Sequence, residues 1–525
     1  MSDWAGLGLD RTRVALAILG LALVATIGAV GLFEPTETRY AEIAREMLES
    51  GDWLRPRLNG LSHFHKPPLA YWATAGGMAT FGRDAAGARL PVALASLAVL
   101  ICTAVAARRR FAALGIRPAL SVWMLGTMLL FVAIGRALAS DPFLAAAVAA
   151  YWALAPSPWA LAALGAGFLA KGPVVFVHTA LPVLLVALWR RERSMLAWLG
   201  PWPGWLLFAA IALPWYLVMV LRTPGLLDYL LGNQILGRYA STVHERGGPP
   251  GYFVGVLILG ALPWSAALIA GLLRTWRDRA GPEAQLLLCW LLAPVAFLSF
   301  SGSKLPAYLL PCFPAAALLA VRGLENAAAR RLTAGLLLAA AIAGAAFGPA
   351  AIGRLTGLEI SLRAVLSFPA LLALLLLVYA AWGVARARPA RAALYLTLLL
   401  TVLVVTLAPY DSMLGSPRRI ARLLIEQRAP GEPVVEIGRF NAGLPFYLGE
   451  PVHLLEVRRE EGFDDLARVR ATIVTGDSLV AWSERHRRVW TFGAERRTAE
   501  IAHSTGLRYT IVARWRRITL GFLAR

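Results

Sequence analysis

Lys66, Lys171 and Lys304 are the only lysines in a chain with 52 basic residues; every other positive side chain is arginine. An ammonium is a compact point charge suited to phosphate. A charged side chain at a membrane boundary is a functional-site candidate by default. Two carboxylates join the lysines as candidates. Glu37 lies in FEPTETRYAEIARE, directly after the uncharged apolar run Val14 to Phe33, and Asp141 lies in GRALASDPF, just before a proline. Cations that hold an anionic group, beside a carboxylate that takes a proton, suit group transfer. Each acid also has a structural reading. A carboxylate in the first turn of a helix opposes the helix dipole, and an Asp ahead of a proline is a common N-cap.

A second constellation is His63, His65, His178 and His244, with Glu245 beside the last. Their spacing matches no strong zinc motif, so the metal assignment is left unknown and no cofactor is expected. The chain has no P-loop pattern and no Asp-x-Asp pair to hold the metal of a nucleotide sugar. A group-transfer enzyme on the outer face of a membrane therefore needs a lipid-carried donor, whose phosphate suits lysines and arginines at headgroup depth.

The elements that position these residues follow from composition. The 525-residue chain is 58% hydrophobic and 16% charged, against about half and a quarter in a soluble globular protein. Long apolar runs recur up to about residue 410 and predict a polytopic α-helical membrane protein of about thirteen spans. These run 14–33, 85–107, 118–135, 142–156, 158–170, 173–189, 201–221, 251–273, 283–300, 306–322, 331–352, 364–384 and 391–409, and the first reads as a retained span. Arginines cluster in alternate loops, which the positive-inside rule places in the cytoplasm. The outer face then receives the loop 34–84, Asp141, all three lysines and the segment after Tyr410. The net charge of +21 is scattered over short loops and forms no nucleic-acid patch. Cys102, Cys289 and Cys312 fall in apolar runs, so no disulfide framework is implied.

Within the loop 34–84, Tyr40, Ile43, Ala44, Met47 and Leu48 have helical spacing. They predict an amphipathic juxtamembrane helix with Glu42, Arg45, Glu46 and Glu49 on its wet face. Leu69 to Phe81 reads as a second surface segment. Residues 411–525 are rich in charge, with β-like runs PVVEIG, PVHLLEV, ATIVTG, RVWTFG and YTIVAR. They predict a small C-terminal α/β domain outside the membrane, so the expected domains are 1–410 and 411–525.

ETRYAEIAREMLESGDWLRPRLNG, FHKPPLAYW, ALASDPF, FLAKGPV and SGSKLPAYLLPCFPAAALL together resemble a known family. It is that of the aminoarabinose transferase and protein O-mannosyltransferase-like glycosyltransferases, which have a GT-C fold. The resemblance implies a donor sugar on polyprenyl (undecaprenyl) phosphate and a lipid, glycan or protein acceptor. It also implies a site on the periplasmic face of the inner membrane, such as one used in lipid A modification. Carried over by motif, Glu37 and Asp141 are the candidate catalytic acids. Arg39 and Lys66 hold the donor phosphate, helped by Lys171 and Lys304, while Tyr40, His65, His244 and Tyr308 line the site. Two positions depart from the pattern. Thr36 stands where bacterial relatives commonly have an acid, and His65 stands where aminoarabinose transferases have a glutamate. A monomer with no nucleic-acid partner is expected. The competing reading is a transporter of lipid-linked sugars. It should show inverted repeats and polar, broken helices at mid-membrane, whereas the charge here gathers at the outer boundary.

Overall fold

The computed structural model describes residues 10–237, 247–356, 368–457 and 463–525. Among these, six helices are long and apolar enough to cross a membrane. A seventh is gained if Tyr252–Gly260 and Ser265–Arg277, which turn through 112°, count as one broken span. The chain is an integral membrane protein built mostly of helices, with a five-stranded sheet and a two-stranded hairpin among the described residues. It clusters into two compact units. The first is Met1–Ile27, Lys66–Ala70 and Arg89–Thr406; the second is Gly28–His65, Tyr71–Ala88 and Leu407–Arg525. The first loop thus divides between the units, with most of it in the second beside the C-terminal segment.

The first unit opens with α1 (Arg11–Ala25). This helix is shorter than its apolar run, because the Thr26 hydroxyl turns back onto the Ala22 carbonyl at 2.8 Å and Gly28 and Gly31 follow. Helix α4 (Ala85–Arg109) is one long rod. The expected span 118–135 is broken at Met128, which is extended, into α5 (Pro118–Thr127) and α6 (Leu129–Ile134). Helices α7 (Asp141–Leu154) and α8 (Pro158–Lys171) form a hairpin, and the span 173–189 breaks at Thr179. Buried tryptophans lock the core with their single donors satisfied. Trp152 donates to the His178 carbonyl at 3.0 Å and Trp264 to the Thr127 hydroxyl at 2.9 Å. Where Ser265–Arg277 crosses Phe313–Gly323, backbone meets backbone. A Cβ on Gly323 would lie 1.8 Å from the Ala267 carbonyl oxygen, and one on Gly271 1.8 Å from that of Leu319. Only glycine permits that approach.

The second unit holds α2 (Thr36–Ser50), the hairpin β1 (Arg57–Leu58) and β2 (Leu61–Ser62), most of α3 (Leu69–Phe81), and a five-stranded sheet. The sheet order is β4 (His453–Leu455), β3 (Val434–Ile437), β5 (Val489–Gly493), β7 (Ile518–Ala524), β6 (Arg508–Trp515). Strands β4, β3 and β5 are parallel, and β5, β7 and β6 are antiparallel. Four of the expected β-runs become strands. ATIVTG does not, being a helix end followed by a single bridge at Ile473. Strand β7 carries Gly521, where a Cβ would meet the Thr510 carbonyl at 2.5 Å.

The wet face assigned to α2 is wrong. Glu42 is 0%, Arg45 2% and Glu46 8% exposed; only Glu49 reaches solvent. The helix packs against β1 and against the short helix Gly443–Leu448, and Arg45 pairs with two of its acids. Arg45 grips Glu42 with two parallel bonds, Nε to Oε2 at 2.7 Å and NH2 to Oε1 at 2.6 Å. Its NH1 donates to Glu49 and to the Gly449 carbonyl at 3.0 Å. Glu46 accepts from the Gly60 N–H at 2.9 Å. Burial, then the charge of Glu42, pushes the Glu46 carboxyl up to about 8.

Candidate functional site

In the first unit the α7–α8 hairpin does the positioning. The two helices have equal length, 14 residues each, so the start of α7 lies level with the end of α8. Ser157 caps α8, accepting from the Ala160 N–H at 3.3 Å. Asp141 is the first residue of α7 and Lys171 the last of α8. Each stands at the helix end whose dipole favours its charge. Lys171 Nζ donates to Asp141 Oδ1, and the two side chains are 10% and 11% exposed. The same ammonium stands 4.5 Å from the centre of the Tyr308 ring, a cation–π distance. Gly172, at φ 77°, lets the chain turn away directly after the lysine. Lys304 donates to the Ser301 carbonyl at 2.8 Å, with its stem against Gly248. Lys66 also belongs to this unit.

The second unit carries Glu37, Arg39, Tyr40 and His65. Glu37 is buried in the first turn of α2, and its Oε2 accepts from the Phe33 N–H at 2.9 Å. Arg39 is half-buried, and its charge is felt by Glu34. Glu34 accepts from the Gly443 N–H at 2.5 Å, and burial raises its carboxyl above the ordinary range. The Tyr40 ring lies 5.0 Å from that of Tyr71, and the His65 ring 4.1 Å from that of His63. Thr36 opens α2 and is exposed. His244 lies outside the described residues.

Asp141, Lys171 and Tyr308 are therefore brought together, and Glu37, Arg39 and Tyr40 share one helical turn. Among the described residues, His63, His65 and His178 form no common cluster. His178 is buried in the first unit, with Nδ1 3.5 Å from the Cys312 sulfur, whereas His63 and His65 belong to the second. Among the described residues no group of three or more His, Cys, Asp or Glu stands ready to hold a metal. Sequence reasoning missed the Glu42–Arg45–Glu46 cluster and Glu436 buried in β3. The i, i+3 and i+4 spacing of opposite charges signalled a network on α2 but not its burial. Nothing local marks Glu436, whose burial is a property of the sheet.

The family model for dolichyl-phosphate-mannose-protein mannosyltransferase matches residues 25–230. An undecaprenyl phosphate-alpha-4-amino-4-deoxy-L-arabinose arabinosyl transferase of Erwinia tasmaniensis is 33% identical over 319 residues, 56% of this chain and 56% of its own. A relative of the same description from Sodalis glossinidius is 35% identical over 316 residues, again 56% of each chain. The chain spans just over half the length of these curated relatives. Among solved structures, apo ArnT from Cupriavidus metallidurans superposes with a TM-score of 0.78 at 24% identity, covering 99% of this chain and 98% of that one. The same protein bound to undecaprenyl phosphate gives 0.74.

In class, the fold is that of ArnT along nearly the whole chain, and the mannosyltransferase family model matches its first part. The particular resemblance read from ETRYAEIARE, FHKPPLAYW and SKLPAYLLP, to the aminoarabinose transferase and protein O-mannosyltransferase-like family, is borne out by these matches.

Proposed function

We propose that this chain transfers a sugar from a polyprenyl phosphate, of which undecaprenyl phosphate is the nearest model, to an acceptor oxygen on the periplasmic face of the inner membrane. The observation that carries the reading is the Asp141–Lys171–Tyr308 cluster, within an architecture shared along nearly the whole chain with a protein crystallised with undecaprenyl phosphate. Relatives named for the transfer of aminoarabinose from that carrier support it. The reading includes about thirteen spans, a periplasmic C-terminal α/β domain, and a monomer that needs no cofactor.

The acceptor oxygen attacks the anomeric carbon. The C–O bond to the phosphate breaks, its electron pair leaves with polyprenyl phosphate, and a carboxylate takes the acceptor's proton. Arg39, Lys66, Lys171 and Lys304 are the cations assigned to the leaving phosphate, where fixed charge aimed at developing charge lowers the barrier. Tyr40, His65, His244 and Tyr308 are assigned to the walls.

Of the two acids, Asp141 is assigned the proton. It already sits against Lys171, which can pass from carboxylate to phosphate as the acid is protonated. Glu37 is assigned a positioning role, because its Oε2 holds the Phe33 N–H and so sets the first turn of α2 on which Arg39 stands. The sugar and the acceptor are to be found by mass spectrometry of envelope lipids and glycans in a deletion strain. A strain that keeps every glycan with intact donor pools overturns the reading.

A further inference from the structure

The second unit resumes at Leu407, inside the stretch Pro389–Leu414 that is long and apolar enough to cross a membrane. Directly after that stretch the chain turns at Gly415, and the tip of the β6–β7 hairpin lies against the turn. Trp515 donates its ring N–H to the Ser412 carbonyl at 2.8 Å, and a Cβ on Gly415 would lie 3.1 Å from the Arg516 guanidinium. Trp515 pairs with Ile518, so Arg516 and Arg517 are the two-residue loop between the strands. Arg516 stands at φ 55°, where a hairpin loop ordinarily carries glycine or asparagine. Both arginines are exposed. So are Tyr410, Met413 and Leu414 at the end of the apolar stretch. Arg419, also exposed, stands in the first turn of the helix Arg418–Gln427, the end whose dipole repels a cation.

The acid of this turn, Asp411, is buried and already taken, by Arg418 at 2.6 Å and by the Gly31 N–H at 2.8 Å. Arg514, two residues before the hairpin tip, is paired with Glu495. Among the described residues no carboxylate pairs with Arg516, Arg517 or Arg419. Backbone preference argues against Arg516, and the helix dipole against Arg419, so neither charge is explained by the fold that carries it. Both stand just past the end of a membrane span, where headgroups lie and where basic segments meet anionic lipid. We infer that the Arg516–Arg517 tip, together with Arg419, is a docking surface for the anionic phospholipid headgroups of the leaflet in which this span ends. Met413 and Leu414 are its apolar edge, and each guanidinium fork matches phosphate oxygens. The surface uses none of the residues assigned to sugar transfer.

The test is hydrogen–deuterium exchange of the full chain, one copy per nanodisc. Three settings are compared: phosphatidylcholine alone, phosphatidylcholine mixed with phosphatidylglycerol, and phosphatidylcholine with inorganic phosphate in the buffer. The peptide spanning the hairpin tip should exchange about tenfold more slowly with phosphatidylglycerol than without it. Arg516→Gly combined with Arg517→Gln should abolish that difference while Tm holds, because glycine suits φ 55°. Arg419→Gln should lose part of it. Arg525→Gln, at the far end of the same hairpin and paired with Glu484, should keep it. Equal exchange with and without phosphatidylglycerol overturns the surface, and so does a full difference in the double variant. Equal slowing by inorganic phosphate overturns the lipid as occupant. If the double variant does not fold, the decision rests on Arg517→Gln and Arg419→Gln taken singly, and a full difference in both overturns the surface.

Discussion

Replacing Arg45 with methionine tests the buried ion cluster of α2 most directly. The side-chain volume is nearly kept and the charge removed, leaving Glu42, fully buried, without its two-bond partner. Stranding one member of such a pair typically costs about 3–5 kcal/mol. The loss has a ceiling set by protonation. Holding a carboxyl of ordinary value 4.5 in its neutral form at pH 8 costs roughly 5 kcal/mol, at ~1.4 kcal/mol per pH unit. At pH 5.5 that ceiling falls to about 1.4 kcal/mol. The lost bond to the Gly449 carbonyl adds ~1 kcal/mol at either pH. The pair with half-exposed Glu49 adds little. Arg45→Met should therefore destabilise the second unit by about 4 kcal/mol at pH 8 and by about 2 kcal/mol at pH 5.5. For a unit of this size that is a drop in Tm of roughly 8–16 °C at the higher pH. Tryptophan-detected melting of the purified protein in mild detergent reads it. Adding Glu42→Gln to Arg45→Met should recover most of the loss at pH 8. A defect equal at both pH values, or no recovery in the double variant, would refute the reasoning.

The second unit should also weaken as pH rises. Glu46 is raised to about 8, and Glu34 and Glu436 are raised in the same direction by burial. Their contribution is full below the ordinary value of 4.5 and drains away as pH climbs through the folded values; Glu46→Gln should flatten the Tm profile between pH 5 and 8, and parallel profiles would count against it. Gly323→Leu drives a side chain into the Ala267 carbonyl and should cost about 3 kcal/mol, read as loss of monodisperse protein in detergent, whereas Ala315→Gly two turns earlier should be milder. Asp141→Asn should lower turnover at least ~100-fold. Glu37→Gln should stay within about tenfold, because the amide oxygen still accepts the Phe33 N–H; the reverse ranking would transfer the proton to Glu37.

Hydropathy located the long apolar helices among the described residues, six of them or seven with the bent pair, because apolar length is a local property. The interruptions were less legible. The break at Met128 and the 112° bend after Gly260 come from packing and from Pro263, not from a change in polarity. The Asp141–Lys171 pair was half legible: both residues were singled out, but only equal helix lengths bring their ends level. The error on α2 has a clear cause. Periodicity reports which side chains differ in polarity, not whether a second layer covers the polar ones, and the layer that covers Arg45 comes from some 400 residues away.

That distance has a consequence for how the protein is made. The Gly31 N–H donates to Asp411, Leu32 to Tyr447, Asn59 pairs with Val452, and Ser62 with Asp464. Sequence separations are 380, 415, 393 and 402 residues. At about 5–20 residues per second, roughly 20–80 seconds pass between synthesis of α2 and synthesis of its cover. Through that interval the helix is a nascent segment whose charged side chains lack the layer that buries them. The second unit closes only when the last fifth of the chain arrives, so a ribosome that stalls before Leu407 leaves every helix of the first unit complete and the second without its sheet.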